Sequence, residues 1–542
     1  MTALALMLAA IQPLWPGKSQ PHLEWCEKPA QPNGACVILI SGGGYRCTCD
    51  RLALTPFESA LTSNGVTCVW LWYRTPRPEG RAIYADAWED GQRAVRLVRA
   101  AAKERGFDPE KIGALGCSAG GHLTVLLGAM SQTNAYARVD GTDDVPCHLN
   151  FAIPMCPAYL LTDGLVDGRN ARGGEGADVT LDPAIAFDAK TCPMCIFHGG
   201  ADAVSPLGST RLYRRLRQMK VLAELHLDPD RGHGVPTPDG FERAIEFLRQ
   251  MEFLPALGPS VPVLSRFPDD SARASCERQE VWPGGKRPPL NPEPTVEMCE
   301  PCLEWHLPKE LKTKAIQIVY SGGGYQGNAT DGAEVLPPRR YLNAKGMTVV
   351  TLRYRTPKSP NLPKHVAPWQ DLQRTVRIVR SQAKARGLDP DRIGIMGFSA
   401  GGHLTMMGAT SSRMASYRPV DETDKLPCNV QWAVPIYPAY CLTDGADGPN
   451  RQGGNTDDAA LVPEFTFDPA TPPMLFLHGD WDCFASMASV KAWERLRRMG
   501  IQGELHTLAK RGHCFQFEAQ PGTASFTYLD RVWDFLTFKK LL

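Results

Sequence analysis

The chain has 542 residues, 43% hydrophobic and 22% charged, an ordinary globular composition with length for more than one core. Lys plus Arg number 59 and Asp plus Glu 58, a formal charge of +1. A near-neutral chain without a basic run lacks the footprint of a nucleic-acid binder, and no apolar stretch is long enough to span a bilayer.

The first apolar run, Thr2–Ile11 (TALALMLAAI), lacks the basic leading segment of a signal peptide. It reads as a clipped signal peptide, favouring a secreted or periplasmic location over a cytoplasmic one, or as an element packed on the first domain. "ACVILIS" and "VTCVWLWY" follow as continuous apolar runs, the pattern of strands buried on both faces. Between them stands "SGGGY", Ser41–Tyr45, and after them "YRTP", Tyr73–Pro76. "AWEDGQRAVRLVRAAAKER" carries apolar residues at helical spacing and ends in basic residues before Gly106, a helix with its stop signal. Trp88 and Asp90 open that helix, and Trp369 and Asp371 open its counterpart in the second half, where an acid complements the dipole.

"KIGALG" predicts a strand and "GHLTVLLGAM" a helix, with Cys117-Ser118-Ala119-Gly120 at the turn between them. So sharp a turn needs residues without bulk around its exposed serine, which Gly116 and Gly120 supply. Ser118 is therefore the candidate nucleophile. Two later strands, "LNFAIPM" and "MCIFHG", lead to Asp202, and "AELHLDPDRGHGV" places His233 after a further strand. A serine needs a base and the base needs an orienting acid; the order Ser118, Asp202, His233 is that of α/β-hydrolases. Acyl transfer also needs N–H donors aimed at the tetrahedral oxyanion. Ala119, directly after the nucleophile, and Gly43 and Gly44 of the glycine run are the candidates.

The same elements return in the second half, in a register kept to within one residue. "SGGGY" recurs at Ser321, "YRTP" at Tyr354, "GFSAGGHL" at Gly397, "PAYCLTDG" at Pro438 and "RGHC" at Arg511. Even the opening "PLWPGK" near Trp15 is echoed by "EVWPGGK" near Trp282. This is duplication of a whole domain. The second set is Ser399, Asp482 and His513, with Gly323, Gly324 and Ala400 as oxyanion donors. Asp480 competes for the acid position, but alignment on "HG" matches Asp202 to Asp482. The expected organisation is two homologous α/β domains in tandem, 1–255 and 280–542, each a mostly parallel sheet with helices on both faces. Residues 256–279, rich in Pro, Ser and charge without a period, are expected as a linker.

Of 17 cysteines, Cys147 and Cys428 correspond between the halves, whereas Cys47, Cys49, Cys68, Cys117 and Cys156 face other residues. A duplicated disulfide framework would keep its partners, so reduced or buried thiols are expected. "CPMC" and "CEPC" look like half zinc knuckles, but neither has a mate at ribbon spacing, and no metal or cofactor is expected. His122 and His403 inside the helix after each serine, and His198, His226, His478 and His506 on or beside strands, read as packing residues.

Both halves resemble α/β-hydrolase fold esterases, above all bacterial acetyl xylan esterases and feruloyl esterase-like carbohydrate esterases. "PLWPGK", "YRTP", "DPEKIG", "GCSAGGHL" and the "ELH…GH" ending carry the likeness over nearly all of each half. Ser41 and Ser321 stand where many esterases have His, and the second copy reads "CFAS" where the first has "VSP" region residues after its acid. The resemblance implies hydrolysis of acetyl or hydroxycinnamoyl esters of plant-wall polysaccharide or its oligomers, without metal or cofactor. The partner is then an ester-bearing small molecule or an acylated oligosaccharide or polysaccharide; oligomeric state is left open. The alternatives are a peptidase or amidase on the same triad, or one active copy beside a non-catalytic copy that binds glycan or shapes structure.

Overall fold

The computed structural model describes residues 11–49, 51, 54–162, 179–234, 238–267, 270–444 and 458–542. Residues 2–10 of the first apolar run, and 163–178, which begin within "PAYLLTDG" (Pro157–Gly164, the first-half counterpart of "PAYCLTDG"), lie outside the described residues. The chain divides into two compact units, Met1–Leu257 and Gly258–Leu542.

The first unit is built on eight strands: β1 (Ile11–Pro13), β2 (His22–Trp25), β3 (Cys36–Ile40), β4 (Thr67–Trp72), β5 (Ile112–Cys117), β6 (Phe151–Met155), β7 (Met194–Gly199) and β8 (Ala223–Asp228). They lie in the order β1-β2-β4-β3-β5-β6-β7-β8. β1 and β2 pair antiparallel, as do β2 and β4, and the pairs from β4 through β8 are parallel. Every residue of β3, β5, β6 and β7 is buried, which is why these strands read as unbroken apolar runs. The helix Ala85–Arg105 packs on Ala119–Ala129, and Thr55–Ser63 packs on Pro238–Gln250. Gly106 ends the long helix in the left-handed conformation (φ 80°), the stop its sequence signals.

The second unit contains β9 (Val261–Pro262), β10 (Arg273–Glu280), β11 (Cys302–Pro308), β12 (Ile316–Tyr320), β13 (Thr348–Arg353), β14 (Ile393–Phe398), β15 (Trp432–Ile436), β16 (Met474–Gly479), β17 (Gly503–Leu508) and β18 (Glu518–Ala519). Its sheet runs β10-β11-β13-β12-β14-β15-β16-β17, the same order, with the same two antiparallel pairs at the β10 end. Two α/β-hydrolase units in tandem is therefore the fold. No helix among the described residues is long and apolar enough to cross a membrane.

The stretch expected as a linker is mostly structure. β10 is the edge strand of the second unit's main sheet, β9 pairs with β18, and Val263 is fully buried in that unit's core. Arg266 also donates to the Phe526 carbonyl and pairs with Asp530 at 2.8 Å. The sequence hides this because no residue of β10 is buried: an edge strand wet on both faces has no hydrophobic alternation to read.

The expectation for Asp90 and Asp371 also needs correcting. Neither caps a dipole. Asp90 sits in the sixth position of its helix, with its side chain fully buried. It accepts from Trp15 Nε1 (2.7 Å), Arg74 Nε (2.9 Å) and the Arg74 backbone N–H (2.7 Å). Asp371 accepts the equivalent bonds from Trp282 and Arg355, at 2.7, 2.9 and 2.7 Å. These aspartates tie the opening "WPG" segment and the "YRTP" motif to the helix, which accounts for both motifs recurring.

Candidate active site

In each unit the candidate serine sits between a central strand and a helix in a backbone conformation that non-glycine residues rarely adopt: φ 59° at Ser118 and 54° at Ser399. The turn is held by the sheet. Ser118 N–H donates to the Met155 carbonyl (3.0 Å), and the Ser118 carbonyl accepts from the His122 and Ala158 N–H groups. Ser399 repeats this with Ile436, His403 and Ala439. Gly120 is obligatory there, since a Cβ would fall 2.2 Å from the Ile40 carbonyl oxygen.

The glycine run after the first parallel strand crosses directly over the serine. A Cβ on Gly42 would lie 2.9 Å from Ser118 Cβ, and one on Gly322 would lie 2.6 Å from Ser399 Cβ. Gly43 and Gly323 turn the chain with φ of 120° and 87°. The N–H groups of Gly43, Gly44 and Ala119, and of Gly323, Gly324 and Ala400, donate no hydrogen bond among the described residues. Those six groups are available to an incoming oxygen. Tyr73 O–H donates to the Ser41 and Gly42 carbonyls, and Tyr354 O–H to those of Ser321 and Gly322, so serine in place of histidine leaves the loop anchored. Tyr45 and Tyr325, directly after the glycines, meet Nδ1 of His122 (2.8 Å) and His403 (2.9 Å). Burial pushes the His122 pKa down to about 3, so it is a neutral packing residue, as its sequence context suggests.

The acids leave the carboxyl ends of β7 and β16. Asp202 and Asp482 have fully buried side chains. His233 Nδ1 lies 2.8 Å from Asp202 Oδ2, and His513 Nδ1 lies 2.8 Å from Asp482 Oδ2. A carboxylate only accepts, so each Nδ1 carries the proton and each Nε2 is left to take one. Asp480, the competing acid, does not take this position. Each carboxylate also accepts a backbone N–H at 2.8 Å, from Val204 or Phe484, so "CFAS" holds its acid as "AVSP" does. Behind each stands a buried histidine, His198 Nε2 at 3.2 Å from Asp202 and His478 Nε2 at 3.4 Å from Asp482. Both Nδ1 atoms meet serines, Ser209 and Ser489. These two residues read as core histidines from sequence; they are, and they also orient the acids. Burial alone would raise the acids, but hydrogen bonds from the paired histidines hold Asp202 well below the usual carboxylate range and Asp482 at about 2. Both stay ionised at any working pH.

The two sites differ at the last contact. His513 Nε2 reaches Ser399 Oγ at 2.7 Å, completing Ser399–His513–Asp482. No hydrogen bond joins His233 to Ser118 among the described residues, and the His233 side chain is 37% exposed against 20% for His513. The walls explain this. His513 is enclosed by Tyr437, ring centroids 4.8 Å apart, and Phe484, 5.2 Å apart. In the first copy those positions hold Cys156 and Val204. The second copy also has a buried acid that motif reading missed. Glu334 accepts Gly322 N–H at 2.6 Å and Tyr437 O–H at 3.0 Å. Its signal was an acid in "DGAEV" with Ala53 at the matching place in the first half.

Each Asp–His pair has a cysteine beside it, Cys156 or Cys483, in a set that could hold a metal. In both sets the histidine and carboxylate are already committed to each other at 2.8 Å. His365, His403 and Glu464 form a further set beside the second site.

The BD-FAE family matches residues 26–150 and 303–495, part of each unit and more than half of the chain. An acetylxylan esterase of Xylanibacter ruminicola is 35% identical over 270 residues, which are 48% of this chain and 52% of that protein. A probable carboxylic ester hydrolase of Mycobacterium tuberculosis is 27% identical over 36% of this chain and 49% of its own length. The chain thus spans about half the length of these curated relatives. Among solved structures, an acetyl ester-xyloside bifunctional hydrolase from Caldicellulosiruptor lactoaceticus aligns at 24% identity over 45% of this chain and 97% of its own, with a TM-score of 0.37. With its glycine loop, serine turn and strand order present twice and the family match falling in both units, the chain belongs to the BD-FAE family.

Proposed function

We propose that this chain is a serine carboxylic-ester hydrolase with a Ser-His-Asp triad in each half. It removes acetyl or feruloyl groups from plant cell-wall polysaccharide such as xylan, or from its oligosaccharides, in a secreted or periplasmic location. One observation carries the reading. His513 lies 2.7 Å from Ser399 Oγ and 2.8 Å from Asp482, under uncommitted N–H groups of Gly323, Gly324 and Ala400. Ser399 Oγ attacks the ester carbonyl while His513 Nε2 takes its proton, and Asp482 keeps the imidazole in the tautomer that can do so. The three N–H groups receive the oxyanion, and removing one such donor typically costs roughly 10²–10³ in turnover. His513 returns its proton to the leaving alcohol, and water then hydrolyses the acyl-enzyme by the same route. Kinship with an acetylxylan esterase supports the choice of acyl group and glycan.

The open Ser118–His233 pair favours a second reading of the first half alone, as a slower site that chiefly holds glycan. Turnover of p-nitrophenyl acetate, methyl ferulate and acetylated xylan by Ser118→Ala, Ser399→Ala and the double variant tests both. Ser399→Ala should remove most activity, about a hundredfold or more, and the double variant all of it. Cleavage of a peptide without turnover of any ester would overturn the esterase reading.

A further inference from the structure

Behind the second serine lies a buried carboxylate that the triad does not use. Glu334 is 8% exposed and ends the loop that follows the glycine run. Its Oε2 accepts Gly322 N–H at 2.6 Å and its Oε1 accepts Tyr437 O–H at 3.0 Å. Gly322 is the residue whose Cβ would fall 3.3 Å from Ser399 Oγ, and the two peptides after it carry uncommitted N–H groups. Tyr437 is the edge-on wall of His513. One side chain thus joins the loop above the nucleophile to the wall of its base.

We propose that Glu334 is a positioning residue of the second site: it fixes the Gly323–Gly324 peptides toward the reacting carbonyl oxygen, and its charge favours the protonated His513 formed during acyl transfer. The inference rests on the hydrolase reading. A run of three glycines has no side chains to fix it and the largest conformational entropy to lose, so a hydrogen bond at its first N–H limits how far the next two can swing. Charge enters because the groups facing Glu334 are Tyr354, Tyr437, Tyr528, Cys514 and His513. Burial pushes the three tyrosines well above their ordinary range and Cys514 up to about 12, so all four stay neutral. His513, faced by Asp482, Glu334 and Tyr437, is the member of the group that gains charge in the reaction. Burial raises the Glu334 carboxyl, opposed by the bonds from Gly322 and Tyr437, which both need it as an acceptor. The first copy has Ala53 and Cys156 at the two positions, neither of which carries a carboxylate or a phenol.

The test uses the full chain with Ser118→Ala, which silences the first copy, and adds Glu334→Gln or Glu334→Ala. Glutamine keeps the shape and an acceptor for Gly322 but removes the charge; alanine removes both. With p-nitrophenyl acetate, kcat should fall about tenfold for Glu334→Gln and about a hundredfold for Glu334→Ala, with KM within about twofold. Losing a negative charge disfavours the imidazolium, so the acid limb of kcat/KM should move about half a pH unit lower in Glu334→Gln. An unchanged kcat and acid limb, or a loss wholly in KM, would overturn the proposal. Phosphonylation of Ser399 by a fluorophosphonate provides a second readout. If the parent is labelled but turns over no ester, the hydrolase reading fails, while the labelling rates still decide on Glu334. Equal rates in parent and both variants would remove its assigned role.

Discussion

The two copies share a strand order and the same candidate Ser, His and Asp positions, and differ in what stands around them. In the second, Phe484 and Tyr437 close on His513, and the ring reaches Ser399. In the first, Val204 and Cys156 occupy those places, Cys156 Sγ lies 2.9 Å from the Gly234 carbonyl next to the base, and His233 stays more exposed. Identical candidate residues therefore do not make identical sites. A histidine held only by its acid keeps freedom about that bond; two aromatic walls remove it, and near-attack geometry is where much of the rate lies.

The same contrast runs through the helix brace, and it gives the largest expected effect. Arg355 and Asp371 are both almost fully buried, whereas Arg74, the partner of Asp90, is one-third exposed. Breaking a buried pair costs about 3–5 kcal/mol, because the remaining charge has no water to turn to. Asp371→Asn should destabilise the second unit by roughly 3 kcal/mol, and Asp90→Asn should destabilise the first by less, about 1–2 kcal/mol. Hydrogen exchange in the helices Val366–Ala383 and Ala85–Arg105 reads each unit separately. Equal protection losses would break the comparison.

A smaller effect is expected at the wall. Tyr437→Cys, which gives the second copy the residue of the first, should lower turnover on p-nitrophenyl acetate about tenfold in a Ser118→Ala background. Tyr437→Phe keeps the ring and loses the hydroxyl, and should cost about threefold. If Phe were as poor as Cys, the hydrogen bond to Glu334 rather than the ring would be what holds the site.

Much of this was legible in the sequence, for physical reasons. Strands buried on both faces must be continuously apolar, so β3, β5, β6 and β7 announce themselves. The serine turn needs Gly120 where a Cβ has no room, and the structure brings Asp202 to His233 and Asp482 to His513, as chain order and alignment on "HG" suggest. What escaped has no local pattern. β10 is wet on both faces, and the role of Asp371 depends on Trp282 and Arg355, which are distant in sequence. The bond between Glu334 and Gly322 belongs to no motif and shows only when the two halves are compared. The open first site was invisible because Cys156 and Val204 are unremarkable residues whose effect lies in the ring they do not supply.

The most direct measurement is the rate at which a fluorophosphonate labels each serine in the unmutated chain, with the peptides bearing Ser118 and Ser399 quantified in the same sample by mass spectrometry. An assembled triad and braced oxyanion loop in the second copy predict labelling of Ser399 at least about tenfold faster than Ser118. Equal rates, or faster labelling of Ser118, would contradict the account.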